Sequence, residues 1–322
     1  MLTKLKSLRI AVIDDWQSVA EQAADWSVLH PLGSVGFLHD YPAALESMVE
    51  RLQSYDVICV MRERTKFDQA LLSRLPQLKL LATSGMKNAA IDLAAAAQLG
   101  IQVCGTGGGH HSAAELTWAL IMALPRNLVK EANDLQAGGW QVGLGSDLYG
   151  KTLGLLGLGK IGQRVASYAR AFDMRVIAWS ENLTAERAAQ CGVTYVSKSA
   201  LFQKSDILSV HLVLSDRSRN IVDAPSLALM KPSAYLINTS RGPLIDEAAL
   251  LGVLRERTIA GAALDVFDQE PLAADHPFRT MDNVLATPHI GYVTQTDYGV
   301  FYRQMIEDIL AWHDGQPLRV IN

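Results

Sequence analysis

The chain has 322 residues, a length that at roughly 150 residues per domain accommodates about two domains. Hydrophobic residues make up 49% and charged residues 19%, which fits a well-buried globular protein and excludes a disordered one. A formal net charge of −4 offers no general surface for nucleic acid or an anionic membrane, so any anionic ligand must meet a local basic site. The three cysteines, Cys59, Cys104 and Cys191, form no CxxC and no disulfide framework, and Cys59 and Cys104 sit in apolar runs as core thiols. The first apolar run, Ile10 to Ile13, ends at Asp14-Asp15 and is not a signal peptide. The longest, Leu116 to Leu124, is too short to span a bilayer. A reducing, cytoplasmic setting is expected.

Short apolar runs alternate with helical patterns along nearly the whole chain, which predicts α/β structure with parallel strands. In the first third the strands are expected at Arg9–Ile13, Val35–Leu38, Val57–Met61, Lys79–Thr83 and Gln102–Cys104, with helices between them such as Ala43–Leu52 and Ile91–Leu99. Gly105 to Gly109 reads as a flexible break. A long helix is expected next, with Ser112 as N-cap and Glu115 three residues on in a capping box, ending at Pro125. His110-His111 followed by Glu115 is not HExxH, and no metal site is expected. The glycine-rich stretch Asn133 to Gly150 has no clear pattern, and Trp140 within it is a candidate for a subunit contact.

A second α/β series opens at Thr152, with strands at Thr152–Leu156, Arg175–Trp179, Ile207–Leu212, Ala234–Asn238, Ala262–Val266 and Val284–Ala286, and a final helix near Asp297 to His313. Its first strand runs into Gly157-Leu-Gly159-Lys160-Ile161-Gly162. The helix Lys160–Phe172 follows, with Ile161, Val165, Tyr168 and Phe172 on one face. A bare GxGxxG is weak, but the strand-to-helix context is the one a dinucleotide turn requires. Gly157 allows the tight turn, Gly159 lets a pyrophosphate approach the backbone, and Gly162 lets the helix pack on the sheet. The helix N-terminus then meets the phosphate charge. The strand ending at Trp179 leads to Ser180-Glu181, where an acidic residue holds ribose hydroxyls and no arginine adjoins to take a 2′-phosphate. NAD is favoured, with NADP left open. His211 and Thr239, at the carboxyl ends of later strands, complete the expected cofactor lining.

Three further segments follow strands of this series: Asn238-Thr-Ser-Arg241-Gly242, Leu264-Asp265 through Glu270-Pro271, and Thr287-Pro288-His289-Ile290-Gly291. With the glycine turn and in this order, the segments INTSRGPLIDE, GAALDVFDQEPL and TPHIG resemble the D-isomer-specific 2-hydroxyacid dehydrogenases, the family of phosphoglycerate, D-lactate and glyoxylate/hydroxypyruvate enzymes. The match runs over essentially the whole chain.

The resemblance implies an NAD(P)-dependent oxidoreductase that passes a hydride between a nicotinamide and a small D-2-hydroxy or 2-keto acid. His289 would be the acid in reduction and the base in oxidation, and Glu270 would orient its ring and favour its charged form. Arg241 would hold the substrate carboxylate and carbonyl oxygen. Asp265 would hold the nicotinamide carboxamide, or else cap backbone amides. In the first domain, Ser84, Gly85, Met86 and Lys87 follow a strand and resemble the loop whose amides bind the substrate carboxylate, although Lys87 departs from the small or apolar residues usual there. In phosphoglycerate-type members arginines here help hold an anionic tail, and Arg62 and Arg64 would do so, or else lie in a solvated loop. Tyr292 and Tyr298 line the pocket or pack between domains.

The implied fold is two Rossmann-like, doubly wound parallel-sheet domains with an active-site cleft between them. Residues 1–104 with 293–322 form the substrate domain and 105–292 the nucleotide domain. A homodimer built on the nucleotide domains is implied, with the helix after Ser112 and the following segment at the interface. The chain's end at Asn322 suggests no appended regulatory domain. Glu270 argues against a formate-dehydrogenase-like member, which carries glutamine there. A phosphite-oxidising member fits the same motifs, and the alternative from another class is a nucleotide-sensing, corepressor-like interaction protein.

Overall fold

The computed structural model describes residues 7–40, 44–109 and 111–322. The chain divides into two compact units, one of Met1–Gly109 with Val293–Asn322 and the other of His110–Tyr292.

The first unit holds strands β1 (Leu8–Val12), β2 (Gly33–Phe37), β3 (Val57–Val60), β4 (Leu80–Thr83) and β5 (Gln102–Gly105) in the order β2-β1-β3-β4-β5. All pair in parallel. Every residue of β3 and β4 is buried, as continuous apolar strands covered on both faces require. The strand order reverses between β1 and β3, so the loops at their carboxyl ends flank a topological switch point. The helix Gln295–His313 returns to this unit and buries Tyr298, Phe301, Tyr302, Met305 and Ile309. Beyond it, Val320 bridges Cys104 in antiparallel fashion, and Arg319 bonds Asp308, Glu307 and the Gln304 carbonyl. Asp308 is fully buried and only one of its carboxylate oxygens finds a partner, so burial lifts its carboxyl to about 7 against the pull of Arg319. Cys59 and Cys104 are buried thiols, and burial pushes Cys104 up to about 12.

The second unit holds β6 (Thr152–Leu156), β7 (Arg175–Trp179), β8 (Thr194–Tyr195), β9 (Ile207–Val210), β10 (Tyr235–Asn238), β11 (Gly261–Leu264) and β12 (Val284–Ala286). They form one parallel sheet in the order β12-β11-β10-β9-β6-β7-β8, with its reversal between β6 and β9. Eleven of these twelve strands lie within a residue or two of the expected ranges at both ends. The two-residue β8, exposed at the sheet edge, is too short to leave a pattern.

The stretch around Gly105 differs from the expected flexible break. Gly105 closes β5, and the Gly107 and Gly109 amides donate to the Gln304 and Asp297 side chains. These bonds join Gly107 and Gly109 to the helix Gln295–His313 of the same unit. Ser112 is not an N-cap: the helix runs His111–Ala123 and Ser112 lies buried within it. His110, and Ala43 at the start of an expected helix, lie outside the described residues. A helix, Leu128–Gln136, occupies part of the stretch left without a pattern.

Candidate active site

In the second unit, β6 delivers Gly157 with φ +109°, a conformation that excludes ordinary side chains. A Cβ there would stand 2.6 Å from the His211 carbonyl oxygen, and one on Gly162 would stand 2.4 Å from the Gly157 carbonyl oxygen. Those two glycines are needed for packing. Gly159 differs: a Cβ there meets nothing within 4 Å, so the turn leaves open space where it caps the helix Lys160–Ala171. Lys160 and Ile161 form the first turn of that helix. Val165, Ala166 and Ala169 carry its packing, with Ile161 and Tyr168 half-buried beside them and Phe172 exposed at the end. Ser180 accepts from the Leu183 amide in a turn, and Glu181 is exposed.

His211 follows β9 directly beneath this turn. Its Nε2 lies 2.8 Å from the Ser209 hydroxyl, its Nδ1 is buried without a partner, and burial pushes the imidazole down to about 4, so it is neutral at physiological pH. Thr239 shares a 2.6 Å hydroxyl contact with Thr117. The open space at Gly159, the helix N-terminus and the orphaned His211 nitrogen together fit a dinucleotide pyrophosphate.

Beyond the neighbouring ends of β10, β11 and β12 stand the other candidates. The register pairs Asn238 with Leu264 and Leu264 with Ala286, so Arg241, Glu270 and His289 all follow strands that end level on one edge. His289 Nδ1 lies 2.5 Å from Glu270 Oε2, and the other carboxylate oxygen accepts from the Phe267 amide at 2.9 Å. The nineteen-residue separation in sequence is thus closed by the sheet. Because the carboxylate accepts, Nδ1 carries the proton and Nε2 is the nitrogen left for chemistry. His289 sits at φ +53°, and Tyr292 meets its ring edge-on at 5.4 Å. The Arg241 guanidinium is half-buried, with Nη1 donating to the Ser240 carbonyl at 2.7 Å.

Asp265 is fully buried. One oxygen accepts from the Thr287 hydroxyl at 2.6 Å and the Ile290 amide at 2.9 Å, and the other from the Gly291 amide at 2.9 Å. It therefore ties down the loop that carries His289, the backbone-capping alternative of the sequence reading. Burial raises its carboxyl above the usual range, and these bonds and the His289 charge pull it back.

In the first unit, Ser84 is buried and accepts from the Arg62 amide at 2.8 Å. Gly85 takes φ +86° and donates to the Thr106 hydroxyl. Met86 and Lys87 are exposed. Arg64 lies over the Trp16 ring at 4.4 Å and donates to the Asp14 carbonyl and to the Tyr298 hydroxyl. It is not a solvated arginine, and Tyr298 is buried within this unit, where it also bonds Gln17. Among the described residues no group of three His, Cys, Asp or Glu side chains could hold a metal ion, and no helix is long and apolar enough to cross a membrane.

A family model described as D-isomer specific 2-hydroxyacid dehydrogenase, NAD binding domain, matches residues 118–291. The chain belongs to this family. It is 37% identical over 292 residues to a glyoxylate reductase of Aeropyrum pernix, covering 87% of each chain. It is also 37% identical over 278 residues to a D-3-phosphoglycerate dehydrogenase of Synechocystis, covering 84% of this chain but 49% of that one, so it spans about half the length of such relatives. A crystal structure from Ralstonia solanacearum, provisionally assigned as a D-3-phosphoglycerate dehydrogenase oxidoreductase, shares 37% identity at a TM-score of 0.93, covering 98% of this chain and 97% of that one. The second unit thus contains the NAD-binding domain of a D-2-hydroxyacid dehydrogenase.

Some polar residues around these loops were not legible beforehand. Asp14, fully embedded at φ +64°, accepts from Thr65 at 2.6 Å, and burial lifts its carboxyl to about 6. Asn88 ties the Arg62 carbonyl to Thr83. His276 meets Glu247 at 3.1 Å. Each is a polar side chain in a loop without a recurring motif, and the only prior signal was an acidic pair, Asp14-Asp15, directly ending an apolar strand.

Proposed function

We propose that this D-2-hydroxyacid dehydrogenase reduces small 2-keto acids, using NADH in preference to NADPH. The 2.5 Å contact between His289 and Glu270, on an edge shared with Arg241, carries the reading. Bound at the glycine turn, the dinucleotide supplies the hydride. Gly157, Gly159 and Gly162 shape the turn, Lys160 and Ile161 present the helix N-terminus, and His211 and Thr239 line the neighbouring strand ends. Glu181, beside Ser180, favours a free ribose 2′-hydroxyl because its charge repels a phosphate there.

Negative charge grows on the keto oxygen during reduction. His289 Nε2–H delivers the proton to it, while Glu270 holds the ring by Nδ1 and stabilises its charged form. Arg241 offers its fork of donors to the substrate carboxylate and the same oxygen. Asp265 fixes the His289 loop. The amides and side chains of Ser84, Gly85, Met86 and Lys87 are assigned to the carboxylate, and Arg62 and Arg64 to the distal end of the substrate, where Arg64 is already immobilised.

Homodimerisation is part of the proposal. The helix Leu128–Gln136 buries none of its residues within the chain, and Leu128, Leu135, Trp140, Leu144 and Tyr149 are all exposed. Apolar groups gathered on one segment fit a second copy of this surface. We further assign the protein to the reducing cytoplasm, where three unpaired thiols persist.

The test is loss of reduced-nicotinamide absorbance when the protein is mixed with NADH or NADPH and glyoxylate, hydroxypyruvate, pyruvate or phenylpyruvate. Turnover with any of them, faster with NADH, supports the reading. Tight dinucleotide binding without turnover on any keto acid overturns it in favour of nucleotide sensing.

A further inference from the structure

Glu270 is held from behind. Its direction follows the Phe267 backbone, whose amide it accepts. That backbone lies against Gly242, where a Cβ would stand 2.0 Å from the Phe267 carbonyl carbon, so the Arg241 loop and the Glu270 loop are in direct contact. The Phe267 ring packs on Phe278 at a centroid separation of 6.4 Å. Phe278 belongs to a single 3-10 turn, Pro277–Arg279, and His276 caps it: its Nδ1 accepts the Phe278 amide at 3.3 Å, and its ring lies 4.8 Å from the phenyl ring.

The far side of the imidazole faces another element. His276 Nε2 lies 3.1 Å from Glu247 Oε1, in the first turn of the helix Glu247–Arg255. The two partners fix the tautomer. An Nδ1 that accepts an amide carries no proton, so the proton sits on Nε2 and is donated to the carboxylate. Both side chains are largely withdrawn from solvent, at 16% and 27% exposure, which makes the bond worth more than a surface pair.

The chain between β11 and β12 behaves as one piece at this end, because Arg279 donates to the Leu272 and Ala273 carbonyls and closes it on itself. Where that piece is tethered therefore decides where Glu270 stands. Asp268 lies within electrostatic reach of Glu247, and Asp246 and Arg219 act on it too. Burial, then the charges of Glu247 and Asp246, raise the Asp268 carboxyl, while Arg219 lowers it. In that acidic setting a directed N–H from His276 offsets the crowding around Glu247.

We propose that His276 and Glu247 form a positioning pair that anchors the 266–279 excursion to the helix after the Arg241 loop, and so aligns Glu270 with His289. Neither residue touches substrate or cofactor in this assignment. Its effect on turnover rests on the dehydrogenase reading, but its effect on His289 does not.

The test uses His276→Ala and Glu247→Ala, with Glu247→Gln as the conservative variant that keeps an acceptor for Nε2–H. Two quantities are read: the Nδ1–H proton resonance of His289, recorded without substrate, and the pH profile of keto-acid reduction. Either alanine variant is expected to move or broaden the resonance and to lower kcat by about 10- to 100-fold, as misplacement of a catalytic group does, while the NADH Kd stays within about twofold because the glycine turn is distant. The pH profile of reduction changes as well, because Glu270 no longer meets His289 Nδ1 in the same geometry. Glu247→Gln stays near the unmodified protein. A folded alanine variant with an unchanged His289 resonance and pH profile overturns the proposal, even if its Tm falls. Should His276→Ala fail to fold, Glu247→Ala decides the matter, since it leaves the cap on Phe278 in place. Absence of any reductase activity in the unmodified protein would defeat the dehydrogenase reading alone, because the resonance needs no turnover.

Discussion

The two parallel sheets end in loops that use their polar groups in different ways. At the switch point of the first unit, Asp14 binds Thr65, Ser84 accepts from the Arg62 amide, and Arg64 is stacked on Trp16 and bonded to Tyr298. These groups are engaged with their own unit. At the switch point and neighbouring edge of the second unit, Asp265 and Glu270 hold loops in place, but Gly159 opens onto free space, His211 Nδ1 is orphaned, and His289 presents Nε2 beyond its bond to Glu270. A parallel sheet supplies the same scaffold twice. The proposed chemistry belongs to the second unit's edge, where the loop bonds leave a donor and a space uncommitted.

This contrast is broken most severely at His289. Replacing it with alanine removes the proton donor, and kcat for reduction should fall by about 10²- to 10⁴-fold while NADH still binds, as stopped-flow turnover and fluorescence titration would show. Near-normal turnover would mean that the second unit's edge is as self-engaged as the first unit's. Next in size is Gly157→Val. The positive φ and the His211 carbonyl leave no room for a side chain, and strain of about 1–3 kcal/mol should weaken NADH binding by roughly 10- to 100-fold in a calorimetric titration.

Glu270→Gln sharpens the comparison further. It keeps a hydrogen-bond partner but removes the charge, so kcat should fall by about tenfold and the pH profile of reduction should change. An unchanged pH profile would sever Glu270 from the reaction.

The smallest effect is expected in the first unit, at Asp308. Its folded carboxyl titrates near 7 and its ordinary value is 3.8. Between those pH values the unfolded chain has lost the proton and the folded one keeps it, so stability falls as pH rises through that window and levels off above about 7. Asparagine does not titrate. The Tm of Asp308→Asn relative to the unmodified protein should therefore climb by a few degrees from pH 4 to 7 and then stay flat, with kcat unaffected at every pH. A parallel pH dependence in both proteins would remove the burial account of Asp308.

Much of this architecture is legible in the amino-acid sequence. Apolar runs of four or five residues bounded by helical patterns located eleven of the twelve strands, because a strand buried on both faces has to be continuously apolar. The glycine turn was legible for the same kind of reason: each glycine answers a steric demand that no other residue meets. What stayed hidden depends on distance in space. Nothing in the local sequence says that Glu270 reaches His289, that Asp265 points into the loop 287–291, or that Gly107 and Gly109 are bonded to Gln304 and Asp297. Ser112 misled because a serine followed three residues later by glutamate has the pattern of a cap whether or not the helix starts there. The His276–Glu247 contact has no sequence pattern, since it joins the start of a helix to a loop twenty-nine residues away.

The first unit is assembled from two stretches of chain that flank the second, and this fixes an order of events during synthesis. Residues 110–292 include every strand of their own sheet, so that sheet can pair as soon as they leave the ribosome. The first unit waits, with its five strands made but the helix Gln295–His313 and the Cys104–Val320 bridge still missing. Its closing contacts join residues about two hundred positions apart, so they carry a larger loop-closure cost and form late. Until then the apolar surface that Tyr302, Met305 and Ile309 will cover is exposed, and that interval, rather than the finished enzyme, is where aggregation and chaperone engagement are expected to concentrate.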